Sequence, residues 1–108
     1  MNEQDEKRLV FKSDIPSSLK LRFKLLCTQR QLTMSYVIEE LIEKWTQANA
    51  PVSNFIIELS GEDYEDVKAY IPQSLKTQFK VFCTQKQVTM RSALYNLINE
   101  WVKAETNR

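Results

Sequence analysis

The chain has 108 residues, of which 43% are hydrophobic and one is glycine, a composition that excludes a disordered chain and favours one helix-rich domain. No apolar run approaches the ~20 residues of a membrane span, and residues 1–7 are polar, so we expect a cytoplasmic protein without signal peptide, anchor or membrane partner. The net charge is +1, and there is no histidine, no closely spaced cysteine pair and no glycine-rich phosphate loop. We therefore expect no metal, no cofactor and no enzymatic activity.

The first predicted element is a short strand that follows a flexible acidic tail, residues 1–7. Apolar side chains recur at even spacing from Leu9 to Ile15, which places Leu9, Phe11 and Ile15 on one face of a β-strand. The opposite face carries Arg8, Val10, Lys12 and Asp14. Pro16 lacks the N–H that a ladder requires, so we expect it to end the strand.

Two helices are predicted after this strand. Either Ser17 or Ser18 can cap the first helix, whose apolar residues recur at steps of three and four. That helix should end within residues 29–32, and Thr33 is suited to cap a second helix with its own apolar stripe. Strand, helix, turn and helix therefore form one unit, residues 8–46.

A linker, residues 47–65, follows this unit and contains the turn-forming residues Pro51 and Gly61. Fully extended, it would span about 60 Å at ~3.3 Å per residue, which is enough to cross a small domain. Its segment 55–59 (FIIEL) is too apolar for a free tether and should cover exposed core. The sequence does not distinguish a strand from a helical turn there.

The same unit then occurs a second time. Residues 15–46 and 71–102 align without a gap at an offset of 56, and 16 of the 32 aligned pairs are identical. The second unit covers residues 66–103, before a short tail, 104–108. Its strand places Val67, Ala69 and Ile71 on one face and Asp66, Lys68 and Tyr70 on the other. About 40 residues seldom build a core alone, so we expect the two units to share one core.

The repeat also explains the low net charge. Residues 7–47 carry eight bases against four acids, and residues 66–108 carry seven bases against three acids. The remaining acids lie in residues 1–6 and 48–65, so each repeat is basic although the total is nearly neutral.

The two cysteines, Cys27 and Cys83, occupy equivalent positions in the two repeats. We expect two buried free thiols in a reducing compartment, and a bridge between them is the alternative.

Each unit has a short strand ending in Ile-Pro, then a helix with Leu and Phe on one face, then a second helix capped by Thr. This order of elements resembles the ribbon–helix–helix DNA-binding family, the Arc and MetJ type. The resemblance covers residues 8–46 and 64–102. In that family two chains pair their strands into an antiparallel ribbon that enters the major groove. The resemblance implies a mainly α fold with a two-stranded antiparallel β-ribbon. Because both copies lie in one chain, we expect an intramolecular pseudo-dimer, with a domain-swapped dimer left open.

The resemblance implies a set of base contacts from the outward side of the ribbon, made by Val10, Lys12, Asp14, Asp66, Lys68 and Tyr70. A lysine there can donate to guanine O6 and N7, a valine can meet a thymine methyl group, and an aspartate can accept from cytosine N4. Alternatively, the lysines only protect the exposed sheet and the aspartates only set the register.

The resemblance also implies phosphate contacts at the entry to the ribbon and at the start of each second helix, made by Lys7, Arg8, Thr33, Met34, Ser35, Thr89, Met90 and Arg91. Free N–H groups and the positive end of the helix dipole favour an anion at such places. Arg91 stands where the first repeat has Ser35, so the second phosphate site should be the stronger one.

Two functions follow from these observations. The first is sequence-specific binding of double-stranded DNA by a prokaryotic transcriptional repressor or a plasmid partition or copy-control factor, with self-association along DNA left open. Its affinity should fall with salt because phosphate contacts supply most of it. The alternative is a protein-interaction module or an antitoxin-like partner that docks through residues 55–59.

Overall fold

The computed structural model describes residues 6–108, which form four α-helices and one two-stranded antiparallel sheet. Each strand is followed by two helices, in the order β1 (Arg8–Pro16), α1 (Ser17–Gln29), α2 (Met34–Gln47), β2 (Tyr64–Pro72), α3 (Gln73–Gln85) and α4 (Met90–Thr106). The predicted combination of four helices with an antiparallel strand pair is confirmed. Within the described residues, no helix is both long enough and apolar enough to cross a bilayer.

Several boundaries differ from the prediction. Both strands are longer than expected, and the connection between the repeats is correspondingly shorter, residues 48–63. The predicted tail 104–108 is largely helical, because Glu105 in α4 pairs with Arg30 of α1 at an Nε–Oε1 distance of 2.5 Å. Of the predicted tail 1–7, residues 1–5 lie outside the described part of the chain.

The two strands pair over their full length in a register centred on Lys12 and Lys68. Because the strands are antiparallel, a residue that precedes one lysine faces the residue that follows the other lysine by the same number of positions. Val10 therefore lies opposite Tyr70. Alternate side chains point into the protein and are buried, among them Phe11, Ile15, Val67, Ala69 and Ile71. The two strand faces predicted from the period of two are confirmed.

One core lies beneath the sheet and is built from both repeats. Helix α2 packs on β2 and α3, whereas α4 packs on β1 and α1. The largest fully buried side chains include four equivalent pairs, Ile15 and Ile71, Phe23 and Phe79, Ile38 and Leu94, Ile42 and Ile98. Each repeat therefore covers its apolar face with the other repeat, and the prediction of a shared core is confirmed.

Each second helix carries a tryptophan that packs on the first-helix phenylalanine of the other repeat. The Trp45 ring meets the edge of Phe79 at 5.5 Å between centroids, and Trp101 meets Phe23 at 5.6 Å. Cys27 and Cys83 are buried free thiols, as predicted, and the alternative of a bridge between them is wrong.

The first helix is not capped by its own serines, contrary to the prediction. Pro16 occupies the N-cap position and offers no side-chain acceptor. Instead the Glu62 carboxylate, just before β2, accepts from the Ser18 N–H at 2.8 Å and from the Ser18 hydroxyl at 2.9 Å. Glu6 does the same for α3, accepting from the Ser74 N–H at 3.2 Å. Glu6 and Glu62 are 56 residues apart, so a glutamate two residues before each strand caps the first helix of the other repeat.

The second helices are capped as predicted. Thr33 accepts from the N–H of Tyr36 at 3.0 Å at the start of α2. Thr89 accepts from the N–H of Ser92 at 2.9 Å at the start of α4.

The connection between the repeats is an irregular segment held against α4, so residues 55–59 form neither a strand nor a helical turn. Phe55 stacks on Trp45 at 5.9 Å between centroids and covers the core. The Ile56 N–H donates to Asn96 Oδ1 at 2.8 Å, and Asn96 Nδ2 donates back to the Ile56 carbonyl at 3.1 Å. Ile57 and Leu59 project outward and are 81% and 85% exposed.

Candidate nucleic-acid interface

The outward face of the sheet brings together all six residues predicted to contact bases, namely Val10, Lys12, Asp14, Asp66, Lys68 and Tyr70. Val10 and Tyr70 are 47% and 57% exposed even though they are large and partly apolar. Neither side chain belongs to the buried core, so both are available to a ligand that covers this face.

Two lysines occupy the centre of this face. Lys12 and Lys68 are directly opposite each other, and both are exposed. Lys12 Nζ lies 3.4 Å from Asp66 Oδ2, but the two side chains are 57% and 54% exposed. An ion pair so open to water contributes little and rearranges easily, so both ammonium groups are free to donate to a ligand that covers the sheet.

One end of the face is acidic. Asp14 and Asp66 are directly opposite each other in the register. Hydrogen bonding to Asp66 raises the pKa of Asp14, and desolvation and the negative charge of Asp66 act in the same direction. The pKa of Asp66 is lowered because its carboxylate accepts from Asp14 and from Lys12. The two carboxyl groups therefore compete for protons across the ribbon, and this end disfavours anions.

The opposite end carries Val10 and Tyr70 and lies beside the start of α2. Ser35, in the first turn of that helix, accepts from the Tyr70 N–H through its hydroxyl at 3.0 Å. Thr33 is the cap, and the Met34 and Ser35 N–H groups in this first turn lie beyond the reach of intrahelical acceptors. These N–H groups can donate hydrogen bonds to an anion next to the ribbon.

The start of α4 lies at the acidic end. Thr89 is its cap, and Met90 and Arg91 form its first turn. The Arg91 guanidinium sits 4.3 Å above the centre of the Tyr64 ring. Arg91 is also among the charges that act on Asp14, where it opposes the rise in pKa. The second predicted phosphate site thus has a fixed positive charge that the first one lacks.

Of the two basic residues at the entry of β1, Arg8 is less free than predicted. Arg8 forms an ion pair with Glu39 of α2, and its Nη2 donates to the Tyr70 carbonyl at 3.0 Å. The carbonyl of Lys7 accepts from the Gln73 N–H at 2.9 Å, which leaves the ammonium group of Lys7 exposed. Arg8 consequently brings a partly neutralised charge to the face.

Tyr64 was not predicted as a site residue, although it stands in the second repeat where Arg8 stands in the first. Besides supporting Arg91, its hydroxyl donates to Glu58 in the connection. This hydrogen bond is the main reason that the pKa of Tyr64 is raised. The offset of 56 between the repeats was the signal that could have identified it.

No group of three or more histidine, cysteine, aspartate or glutamate side chains among residues 6–108 could hold a metal ion. No protein-family model, curated protein or solved structure matches the chain. The exposed face of the sheet and the two helix starts beside it are therefore interpreted from their own chemistry.

Proposed function

We propose that this protein binds double-stranded DNA sequence-specifically by placing the β1–β2 ribbon in the major groove. The chain is then a tandem ribbon–helix–helix protein whose two repeats form an intramolecular pseudo-dimer. Its role is that of a prokaryotic transcriptional repressor or a plasmid partition or copy-control factor. The observation that carries the proposal is the position of Lys12 and Lys68, equivalent residues that face each other at the centre of an exposed ribbon.

The dimensions of the ribbon support this proposal. The major groove is about 12 Å wide and admits a two-stranded ribbon, whose strands lie ~4.8 Å apart. Side chains from one ribbon face then reach base edges, where lysines can donate to guanine O6 and N7. The starts of α2 and α4 lie at the two ends of the ribbon, where they can accept the flanking phosphates.

The charges on this side of the molecule also favour DNA. Among the candidate contact residues, five bases outnumber two acids: Lys7, Arg8, Lys12, Lys68 and Arg91 against Asp14 and Asp66. The excess is modest, and Arg8 is paired with Glu39. Affinity should therefore fall with salt, but more gradually than for a strongly basic protein, because few counterions are released.

Selection of bound duplexes from a random pool, followed by titration of the selected duplex, tests the proposal. Lys12→Ala combined with Lys68→Ala should weaken selective binding by about 5-fold or more per lysine, because each good base contact is worth about 1–3 kcal/mol. The matched control is Lys44→Ala combined with Lys103→Ala, which removes equal charge from the far ends of α2 and α4. If the ribbon variant keeps the parental affinity and helicity, the ribbon does not read DNA.

The exposed side chains of Ile57 and Leu59 favour a second function, a protein-interaction module or antitoxin-like partner that docks through residues 55–59. Phe55 and Ile56 are anchored to the fold, so Ile57→Ser and Leu59→Ser are the informative substitutions. Under this alternative they abolish binding of a protein partner and leave DNA affinity unchanged. Sedimentation of the parent protein with and without DNA measures how many copies bind one duplex. It therefore distinguishes self-association along the duplex from docking of a different protein at residues 55–59.

A further inference from the structure

We propose that the ribbon reads two unlike half-sites, with Asp14 and Asp66 accepting hydrogen bonds from cytosine amino groups in one half and Val10 contacting a thymine methyl group in the other. The protein would then occupy an asymmetric DNA site in a single orientation. This inference rests on the proposed function, and it identifies the class of DNA that the ribbon recognises.

The register of the strands supports the inference. A ribbon centred on Lys12 and Lys68 presents its two ends to base pairs on either side of one centre. Were the repeats identical at the outward positions, the two ends would carry the same side chains and would read an inverted repeat. In this chain one end pairs Val10 with Tyr70, and the other end pairs Asp14 with Asp66.

The chemistry of the acidic end restricts which bases can lie under it. An ionised carboxylate only accepts hydrogen bonds, so guanine O6 and N7 and the phosphates repel it. In the major groove, cytosine N4 supplies the donor that Asp and Glu recognise. In the free protein Asp14 and Asp66 lie directly opposite each other across the ribbon, and the negative charge of Asp66 contributes to raising the pKa of Asp14. Amino groups placed against both carboxylates would relieve that repulsion.

The other end offers the complementary chemistry. The exposed Val10 side chain presents methyl groups, which suit the C5-methyl group of thymine. The Tyr70 hydroxyl can donate or accept beside it. No acid belongs to this outward pair, so a base edge rich in acceptors can lie against it.

The two helix starts beside the ribbon also differ in charge. The acidic end has Arg91 at the start of α4, held over Tyr64, whereas the apolar end has the uncharged Ser35 at the start of α2. A fixed cation beside the two carboxylates offsets their repulsion of the phosphate backbone. Each end therefore combines a distinct base-reading pair with a distinct phosphate contact.

The first experiment is selection of bound duplexes with the parent protein, followed by titration of three duplexes. One is the selected site, and the other two are inverted repeats built from its left half or its right half. The parent should prefer the selected site over either inverted repeat by ~10-fold or more, because each mismatched pair weakens binding about 5- to 150-fold. If the selected site is itself an inverted repeat, the inference is overturned while the proposed function stands.

The second experiment makes the ribbon symmetric. Asp66→Val gives the second repeat the residue that Val10 supplies in the first, and Asp14→Tyr gives the first repeat the counterpart of Tyr70. The doubly substituted protein should prefer the inverted repeat of the thymine-containing half over the parental site. A symmetric variant that still prefers the parental site shows that these four residues do not determine the asymmetry.

A third comparison isolates the carboxylates. Asp14→Asn with Asp66→Asn keeps side-chain size and removes both negative charges. This variant should bind all duplexes more tightly but should lose ~10-fold or more of its discrimination for cytosine at the acidic end, since a neutral amide accepts less strongly and is not repelled by acceptors. Unchanged preference for cytosine would rule out the carboxylates as readers. Failure of the parent to enrich any duplex would instead reject the proposed function itself.

Discussion

Cys27 and Cys83 are equivalent residues whose thiols are both enclosed by the shared core. Burial raises the pKa of each thiol to about 11 because the core stabilises the neutral form. In the unfolded chain a thiol titrates near its ordinary value of about 8.5. The stability of the folded protein should therefore depend on pH in the alkaline range through these two thiols.

We predict that the free energy of unfolding falls between about pH 8.5 and 11, because the unfolded chain loses these protons first. The slope should approach ~1.4 kcal/mol per pH unit for each thiol, and the cysteines should have no such effect below about pH 8. Urea unfolding of the parent and of Cys27→Ala with Cys83→Ala, from pH 7 to pH 10.5, checks this. Parallel pH profiles for the two proteins would contradict it.

Individual polar residues were the hardest features to predict. Asn96 lies within the apolar stripe of α4 and is buried, because its amide pairs with the backbone of Ile56, forty residues earlier in the chain. Nothing local to Asn96 indicates that contact. By contrast, Lys12 and Lys68 were placed on one face by the period of the strand and the offset of the repeat alone.

At the scale of the elements, α1 and α3 are both followed by a glutamine in a left-handed conformation. Gln31 and Gln87 both have φ of 59°, in the left-handed region where glycine is normally preferred. The next residues bond back into the helix, with Leu32 N–H donating to the Cys27 carbonyl at 2.9 Å and Val88 N–H donating to the Cys83 carbonyl at 3.0 Å. These hydrogen bonds require a left-handed residue at positions 31 and 87, although glutamine is less suited to that conformation than glycine.

We expect Gln87→Gly to raise the free energy of unfolding by roughly 0.5–1 kcal/mol, because glycine adopts a left-handed conformation without steric cost. Gln85→Gly, two residues earlier in the last turn of α3, should lower it by about 1 kcal/mol. Chemical denaturation of both variants measures the contrast. Equal destabilisation by the two substitutions would show that position 87 carries no strain.

The reciprocal caps give a prediction about acid. Hydrogen bonds from the Ser18 N–H and hydroxyl lower the pKa of Glu62 below its ordinary value of 4.5. The ionised cap therefore stabilises the fold above about pH 4.5, and this contribution is lost as the pH falls through the lowered pKa. Glu62→Gln should destabilise the protein at pH 7 and have less effect at pH 2.

Urea unfolding at the two pH values measures this difference, and the exposed Glu43→Gln is the control. A loss of stability from Glu62→Gln that is the same at both pH values would show that its charge does not matter for the cap.

The elements themselves could be predicted because their signals are local. Thr33 and Thr89 were identified as caps from the residues that follow them, and the structure agrees. The caps of α1 and α3 could not be identified in this way, because Glu62 lies 44 residues from Ser18 and Glu6 lies 68 residues from Ser74. The path of residues 55–59 was likewise undetermined, since it depends on Asn96 and Trp45 rather than on its own pattern.

The whole molecule consists of two halves that complete each other. The strands pair with each other, the second helices pack on the opposite strands, and each first helix is capped from the other half. Neither half retains a closed core or a capped first helix without its counterpart. Cooperative unfolding of the chain as one unit follows from this arrangement.

Residues 48–63 join the halves into one molecule, so dilution cannot separate them. If the two halves were separate chains, the paired ribbon would disappear at low concentration by mass action. Here the unfolding midpoint should be the same at about 1 μM and about 100 μM, whereas a swapped dimer would melt lower on dilution. Should the ribbon bind DNA as we propose, a cell with only a few copies would keep each of them able to bind, and occupancy of a single DNA site would rise with the first power of protein concentration.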